Sequence, residues 1–121
     1  MPPQTLSGTG ACRVAGELFA RFRGAKSPIY IPNPTWGNHV AIFKNSGLDV
    51  RRYRYYDPNT LALDFEGLMS DIQSAEDGSL FLLHACAHNP TGVDPTHKQW
   101  ADMSATMKAK GHVVFFDCAY Q

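Results

Sequence analysis

The chain has 121 residues, enough for one domain with a modest core, and 11 basic residues balance 11 acidic ones. That balance leaves no electrostatic footprint for nucleic acid, and no apolar run reaches the length of a membrane span. At 44% hydrophobic and 18% charged residues, the composition is that of a soluble globular protein. Cys12, Cys86 and Cys118 cannot all pair and show no metal-ligand spacing, so they read as reduced intracellular thiols. The opening Met1-Pro2-Pro3-Gln4 is neither a secretory signal nor an Arg-rich transit peptide. The expected location is intracellular and soluble, with the compartment open.

Along the chain, Ser7-Gly8-Thr9-Gly10 leads into a helical pattern, with Ala11, Val14, Ala15, Leu18, Phe19 and Phe22 on one face and Gly24 as the stop. Pro28 to Pro32 is a short strand bracketed by prolines. The segment from Asn33 to His39 is a loop entering a helix, where Val40, Ile42 and Phe43 make apolar contacts and Gly47 ends the turn. Val50 to Tyr56 mixes arginines with apolar and aromatic residues, as a strand with one wet face does, and Asp57-Pro58-Asn59 turns the chain. Asp64 caps a helix whose apolar face carries Phe65, Leu68, Met69 and Ile72. Leu80-Phe81-Leu82-Leu83 is a continuous apolar run, expected of a strand buried on both faces. After a polar loop, Asp94-Pro95 starts a helix as cap and first residue, with Trp100, Met103 and Met107 inward. Val113 to Phe116 is the last strand. Strand and helix alternate, so the expected class is α/β with a mostly parallel sheet and helices packed on it.

Several residues are suited to chemistry. Ser7 to Gly10 is either a helix cap or an anion site, because two glycines admit a ligand and the following helix aims amides at it. Trp36, beside Gly37 in a loop, is either a core residue or a platform for a flat ligand. Asn89 before Pro90 is either a turn former or a donor to an oxygen anion. His84 and His88 stand four apart, but they leave a strand for a Pro-Gly loop, so helical metal-ligand spacing does not apply and no metal site is expected. Asp117 follows four apolar strand residues and needs a cation or several donors there. Tyr120 brings a phenol to the same rim.

Taken in order, Ser7-Gly8-Thr9-Gly10, Asn33 to His39, His84 to Thr96 and Phe115 to Gln121 resemble the large domain of aspartate aminotransferase, a fold-type-I family that uses pyridoxal 5′-phosphate (PLP). The likeness covers residues 4–121. It implies part of a three-layer α/β/α large domain with a mostly parallel sheet, and no small domain. It also implies that Ser7, Gly8 and Thr9 hold the cofactor phosphate. Trp36 would stack on the pyridine ring, and Asp117 would pair with the ring nitrogen. Asn89 and Tyr120 would bond the phenolic oxygen, and Trp36 and Asn89 would also meet the substrate. His39 would orient Asp117 from behind, and His84 would support the ring from beneath.

The implied reaction is amino transfer between L-aspartate and 2-oxoglutarate, so the implied partners are small amino and 2-oxo acids, and the implied parent is a homodimer. The family's Schiff-base lysine and the arginine that grips the substrate carboxylate match nothing here. Lys26, Lys44, Lys98, Lys108 and Lys110 fall in no corresponding motif. The chain is therefore expected to contain no catalytic residue and to be inactive alone. Two rivals are a PLP-binding or interaction fragment without catalysis, and an unfolded truncation that leaves Phe81 to Leu83 and Val113 to Phe116 exposed.

Overall fold

The computed structural model describes residues 1–120. Its elements are α1 (Ser7–Arg23), β1 (Pro28–Asn33), α2 (Asn38–Asn45), β2 (Asp49–Arg54), β3 (Tyr56–Asp57), β4 (Ala62–Leu63), α3 (Phe65–Ser74), β5 (Leu80–His84), α4 (His97–Ala109) and β6 (Val113–Asp117). Four strands form a parallel sheet in the order β2-β1-β5-β6. β1 runs through α2 to β2 on one side, and β5 runs through α4 to β6 on the other. The direction of winding therefore reverses between β1 and β5, and such a reversal opens a crevice at the carboxyl ends of the strands.

β5 explains the layering. All five of its residues are buried. Phe81 and Leu83 pack with Leu68 and Ile72 of α3 and Met103 and Met107 of α4. Leu80 and Leu82 pack on the opposite face with Cys12 of α1 and Ile42 and Phe43 of α2. Side-chain alternation along one strand thus divides the interior into two cores, with helices on both sides of the sheet. Each fully buried leucine or phenylalanine contributes about 1.5–3 kcal/mol relative to exposure.

Two expectations need correction. Val14, Leu18 and Phe22 of α1 are exposed, and the face that packs carries Cys12 and Gly16. There α1 lies so close to α2 that a methyl group at Gly16 would stand 2.6 Å from Ser46 Oγ. α4 begins after Thr96, not after Asp94. The Thr96 side chain accepts from Gln99 N–H while the Gln99 side chain accepts from Thr96 N–H, a reciprocal capping box. Phe81, Leu82 and Leu83 are buried rather than bared, although Phe116 on the edge strand β6 is 53% exposed. A small antiparallel pair, β3 with β4, flanks the turn at Asp57 and Pro58 and lies outside the parallel sheet. Among the described residues no helix is long and apolar enough to cross a membrane.

Asp64 does cap α3, accepting from Gly67 N–H at 2.9 Å. For α4 the capping role belongs to Thr96, so Thr96→Ala should lower stability by about 1 kcal/mol in urea unfolding. Asp94→Asn keeps that cap. An equal or larger loss from Asp94→Asn combined with no loss from Thr96→Ala would contradict the assignment.

Candidate functional site

The crevice at the carboxyl ends of the strands holds a cleft of about 250 Å³. It is lined by Ser7, Gly8, Thr9, Trp36, His84, Cys86, Ala87, Asn89, Asp117, Ala119 and Tyr120. Every residue singled out in the sequence as holding a flat, phosphorylated ligand is among them, and they arrive from several separate parts of the chain. Ser7, Gly8 and Thr9 form the first turn of α1. Trp36 follows β1, His84 ends β5, and Asp117 ends β6. Asn89 comes from the long loop before α4, and Tyr120 from the segment after β6.

The first turn of α1 is free to take an anion. Leu6 at the cap position offers no side-chain bond to it. Ser7 has φ 58°, in the left-handed region. A left-handed residue followed by helical ones turns successive amides to one side, forming an anion-binding concavity. The Ser7 and Thr9 side chains make no hydrogen bond to another described residue. Trp36 is half-buried, packing on the core with one edge against His39 (centroids 5.2 Å apart) while also lining the cleft. Core residue and ligand platform are therefore not exclusive roles for it.

Asp117 anchors a chain of hydrogen bonds that runs behind the cleft. The parallel register sets His84 beside Asp117. His39, fully buried in α2, reaches Asp117 Oδ2 through Nε2 at 2.8 Å. His39 Nδ1 lies 2.8 Å from Thr35 Oγ1, and Thr35 Oγ1 lies 3.2 Å from His84 Nε2. His84 Nδ1 accepts from Asn89 N–H at 3.3 Å. One assignment of protons satisfies every link. The Asn89 amide donates to His84, whose Nε2–H donates to Thr35. The Thr35 hydroxyl donates to His39, whose Nε2–H donates to the carboxylate. Both rings are neutral in this arrangement. Burial lowers the His39 pKa, although hydrogen bonding to Asp117 opposes the shift. Burial, reinforced by His39, lowers that of His84 to about 4. No described residue donates to Asp117 Oδ1.

The loop that carries Asn89 is stapled by Asp94. Its carboxylate accepts from Ala87 N–H at 2.8 Å and from His88 N–H at 2.9 Å, and Ala87 sits at φ 49°. His88 is buried, stacked on Tyr55 at 3.9 Å, with its ring centroid 4.4 Å from that of His84. The two histidines thus meet, their rings tilted by 39°, and burial lowers the His88 pKa to about 4 as well. Cys12, His39 and Asp117 place one potential metal ligand each within 4.8 Å of one another. Both nitrogens of His39 and one oxygen of Asp117 are already engaged in hydrogen bonds, and burial pushes the Cys12 thiol up to about 11. The trio is a hydrogen-bonded corner of the core rather than an open ligand set.

Residues 2–121 match the family model for aminotransferase class I and II. The chain belongs to that family. It is 56% identical over 118 residues to a mitochondrial aspartate aminotransferase from Dictyostelium discoideum and 58% identical to a cytoplasmic one from Oryza sativa subsp. japonica. Both alignments cover 98% of the chain but only 28% and 29% of the relatives, so the chain spans under a third of their length. Among solved structures it superposes on an aromatic-amino-acid aminotransferase from Burkholderia pseudomallei covalently bound to pyridoxal phosphate. That match has a TM-score of 0.90 and 40% identity, and covers 97% of this chain and 29% of the other.

Around this cleft, Thr35, Cys86, Ala87, Asp94 and Ala119 are the residues that sequence reading missed. Thr35 and Asp94 carry polar atoms in loops, but only the fold brings Thr35 between two imidazoles or Asp94 under a backbone six residues back. Cys86, Ala87 and Ala119 line the cleft simply because their neighbours do.

The histidine shifts have a consequence for stability. Both His84 and His88 have folded pKa values below the ordinary 6.5, so as pH falls the unfolded chain takes up protons first. Their contribution is complete above pH 6.5 and is lost as pH falls towards 4. The loss should be of the order of 3 kcal/mol for the first of the pair to protonate. Urea unfolding from pH 7.5 to 4 should show that decline, and His84→Gln should flatten it. A wild-type stability that is level across this window would refute the assignment.

Proposed function

We propose that the chain forms the pyridoxal phosphate cradle of an aspartate aminotransferase, with residues 4–121 belonging to the large domain. The observation that carries this reading is the convergence of Ser7, Gly8, Thr9, Trp36, Asn89, Asp117 and Tyr120 on one cleft, with Asp117 backed by His39. The donor set suits the cofactor's chemistry. Uncapped amides and two hydroxyls at the start of α1 suit a phosphate. An indole suits a flat ring. Asp117 Oδ1, to which no described residue donates, suits a protonated ring nitrogen. His39 occupies Oδ2 and fixes the carboxylate's orientation, and His84 supports the cleft from below. The side chains of Asn89 and Tyr120 suit the phenolic oxygen, and Trp36 and Asn89 border the space a substrate carboxylate would enter. When bound, pyridoxal phosphate supplies an electron sink for the substrate's α-carbon.

The reaction proposed for the whole enzyme is amino transfer between L-aspartate and 2-oxoglutarate, in a homodimer. Within these 121 residues the role is narrower. None of Lys26, Lys44, Lys98, Lys108 and Lys110 lines the cleft. Lys98 instead pairs with Asp102 at 2.9 Å and Lys110 with Asp77 at 2.6 Å. A polypeptide of this length therefore supplies a binding surface without a positioned amine, and this observation favours cofactor binding without turnover for the chain on its own.

Titration of the chain with pyridoxal phosphate should quench tryptophan fluorescence saturably. Trp36→Phe should abolish most of the quenching, because Trp100 sits in α4, away from the cleft. Asp117→Ala should weaken binding about 10-fold or more, the magnitude of one lost charge-assisted contact. Quenching of equal size in wild type and Trp36→Phe would reject the cradle. In a coupled assay with aspartate and 2-oxoglutarate, the same polypeptide should stay at the rate of free cofactor. Turnover well above that rate would reject the narrower role.

A further inference from the structure

The roles above leave two thiols unused, and the fold brings them together. β5 and β6 pair in parallel register through His84 and Asp117, and Ala85 N–H donates to Asp117 O at 2.9 Å, extending the pairing one residue past the strands. Cys86 and Cys118 therefore leave neighbouring strand ends as diagonal neighbours, one residue out of register. Both are exposed. The Cys118 thiol donates to Tyr120 O at 3.4 Å and the Cys86 thiol to the same oxygen at 3.7 Å. Two sulfurs sharing one acceptor can be no farther apart than the sum of those lengths. Cys118 is level with Ala85, so Cys86 lies one residue further along. A strand spacing of about 4.8 Å and a rise of about 3.3 Å give a diagonal Cα separation of roughly 6 Å, within the roughly 4.4–6.8 Å that a disulfide spans. The third cysteine, Cys12, is buried between α1 and the sheet.

We propose that Cys86 and Cys118 form an oxidisable dithiol, which a small disulfide such as glutathione disulfide converts into an intrachain disulfide at the rim of the cleft. One thiolate attacks the small disulfide, forming a mixed disulfide and releasing one glutathione thiol. The second cysteine thiolate attacks the protein sulfur of that mixed disulfide and releases the other. Two electrons pass from the protein to the oxidant, and the two cysteine protons end on the released thiols. The bond replaces two S–H contacts to Tyr120 O. It ties the loop carrying Ala87 and Asn89 to the segment carrying Ala119 and Tyr120, all four of which line the cleft. The thiol chemistry stands whatever fills the cleft.

The test is incubation of the native chain with glutathione disulfide, followed by denaturation, thiol counting and tryptic mass mapping. Cleavage after Arg13, Lys98 and Lys110 puts the three cysteines on separate peptides. Free thiols should fall from three to one, the mass should drop by two hydrogens, and the Cys86 and Cys118 peptides should appear joined. Cys86→Ser and Cys118→Ser should each stop at a glutathione adduct on the remaining exposed cysteine. Oxidation in urea, where proximity is lost, should scatter pairing to include Cys12. Stable glutathione adducts on both cysteines of the native wild type, a disulfide-linked dimer, or the same mixed pairing with and without urea would overturn the proposal.

Discussion

A carboxylate at the tip of an apolar strand loses hydration, and the way Asp117 is compensated governs the rest of the site. Its partner is His39, which belongs to a helix reached through a different strand. That contact requires the N-terminus of α2 to lie over the carboxyl end of β6, and so requires α2 to pack on the same sheet face as α1. The tight passage of α1 against α2 at Gly16 is the packing that permits it. Core geometry and site geometry are in this sense one constraint.

The winding of the sheet does the remaining work. Because β1 and β5 send their connections in opposite directions, the loops after them part and leave a crevice. The first turn of α1 closes one side of it and the loop before α4 closes another. No single element contains the cleft. It exists only where strand ends of matched length meet, and β5 and β6 end in register at His84 and Asp117.

Much of this was legible in the sequence, for identifiable reasons. The run Leu80 to Leu83 reads as a strand covered on both faces, and Gly24, Gly47 and Asp64 mark element ends with local chemistry. Ser7, His84 and Asp117 were legible because each sits where a strand stops or a helix starts. What escaped notice depended on partners remote in sequence. Asp94 has the form of a helix cap, but its carboxylate is drawn to the amides of Ala87 and His88, and Thr96 with Gln99 takes the cap. In α1, Val14, Leu18 and Phe22 have ideal helical spacing, but the small residues at 12 and 16 admit the closer neighbour. Thr35 gives no local sign of its place between two imidazoles.

The chain of hydrogen bonds behind the cleft begins at a backbone amide and ends at a carboxylate. An amide nitrogen cannot take up a proton in exchange for the one it shares, so the sequence of donors from Asn89 to Asp117 cannot be reversed by shuffling protons along it. The array therefore behaves as a fixed line of dipoles rather than as a wire. A change of charge beside Asp117 is met by polarisation of His39, Thr35 and His84 in place. The two rings keep their tautomers, and the cleft gains a steady electric field at its floor instead of a path for protons to leak into the core.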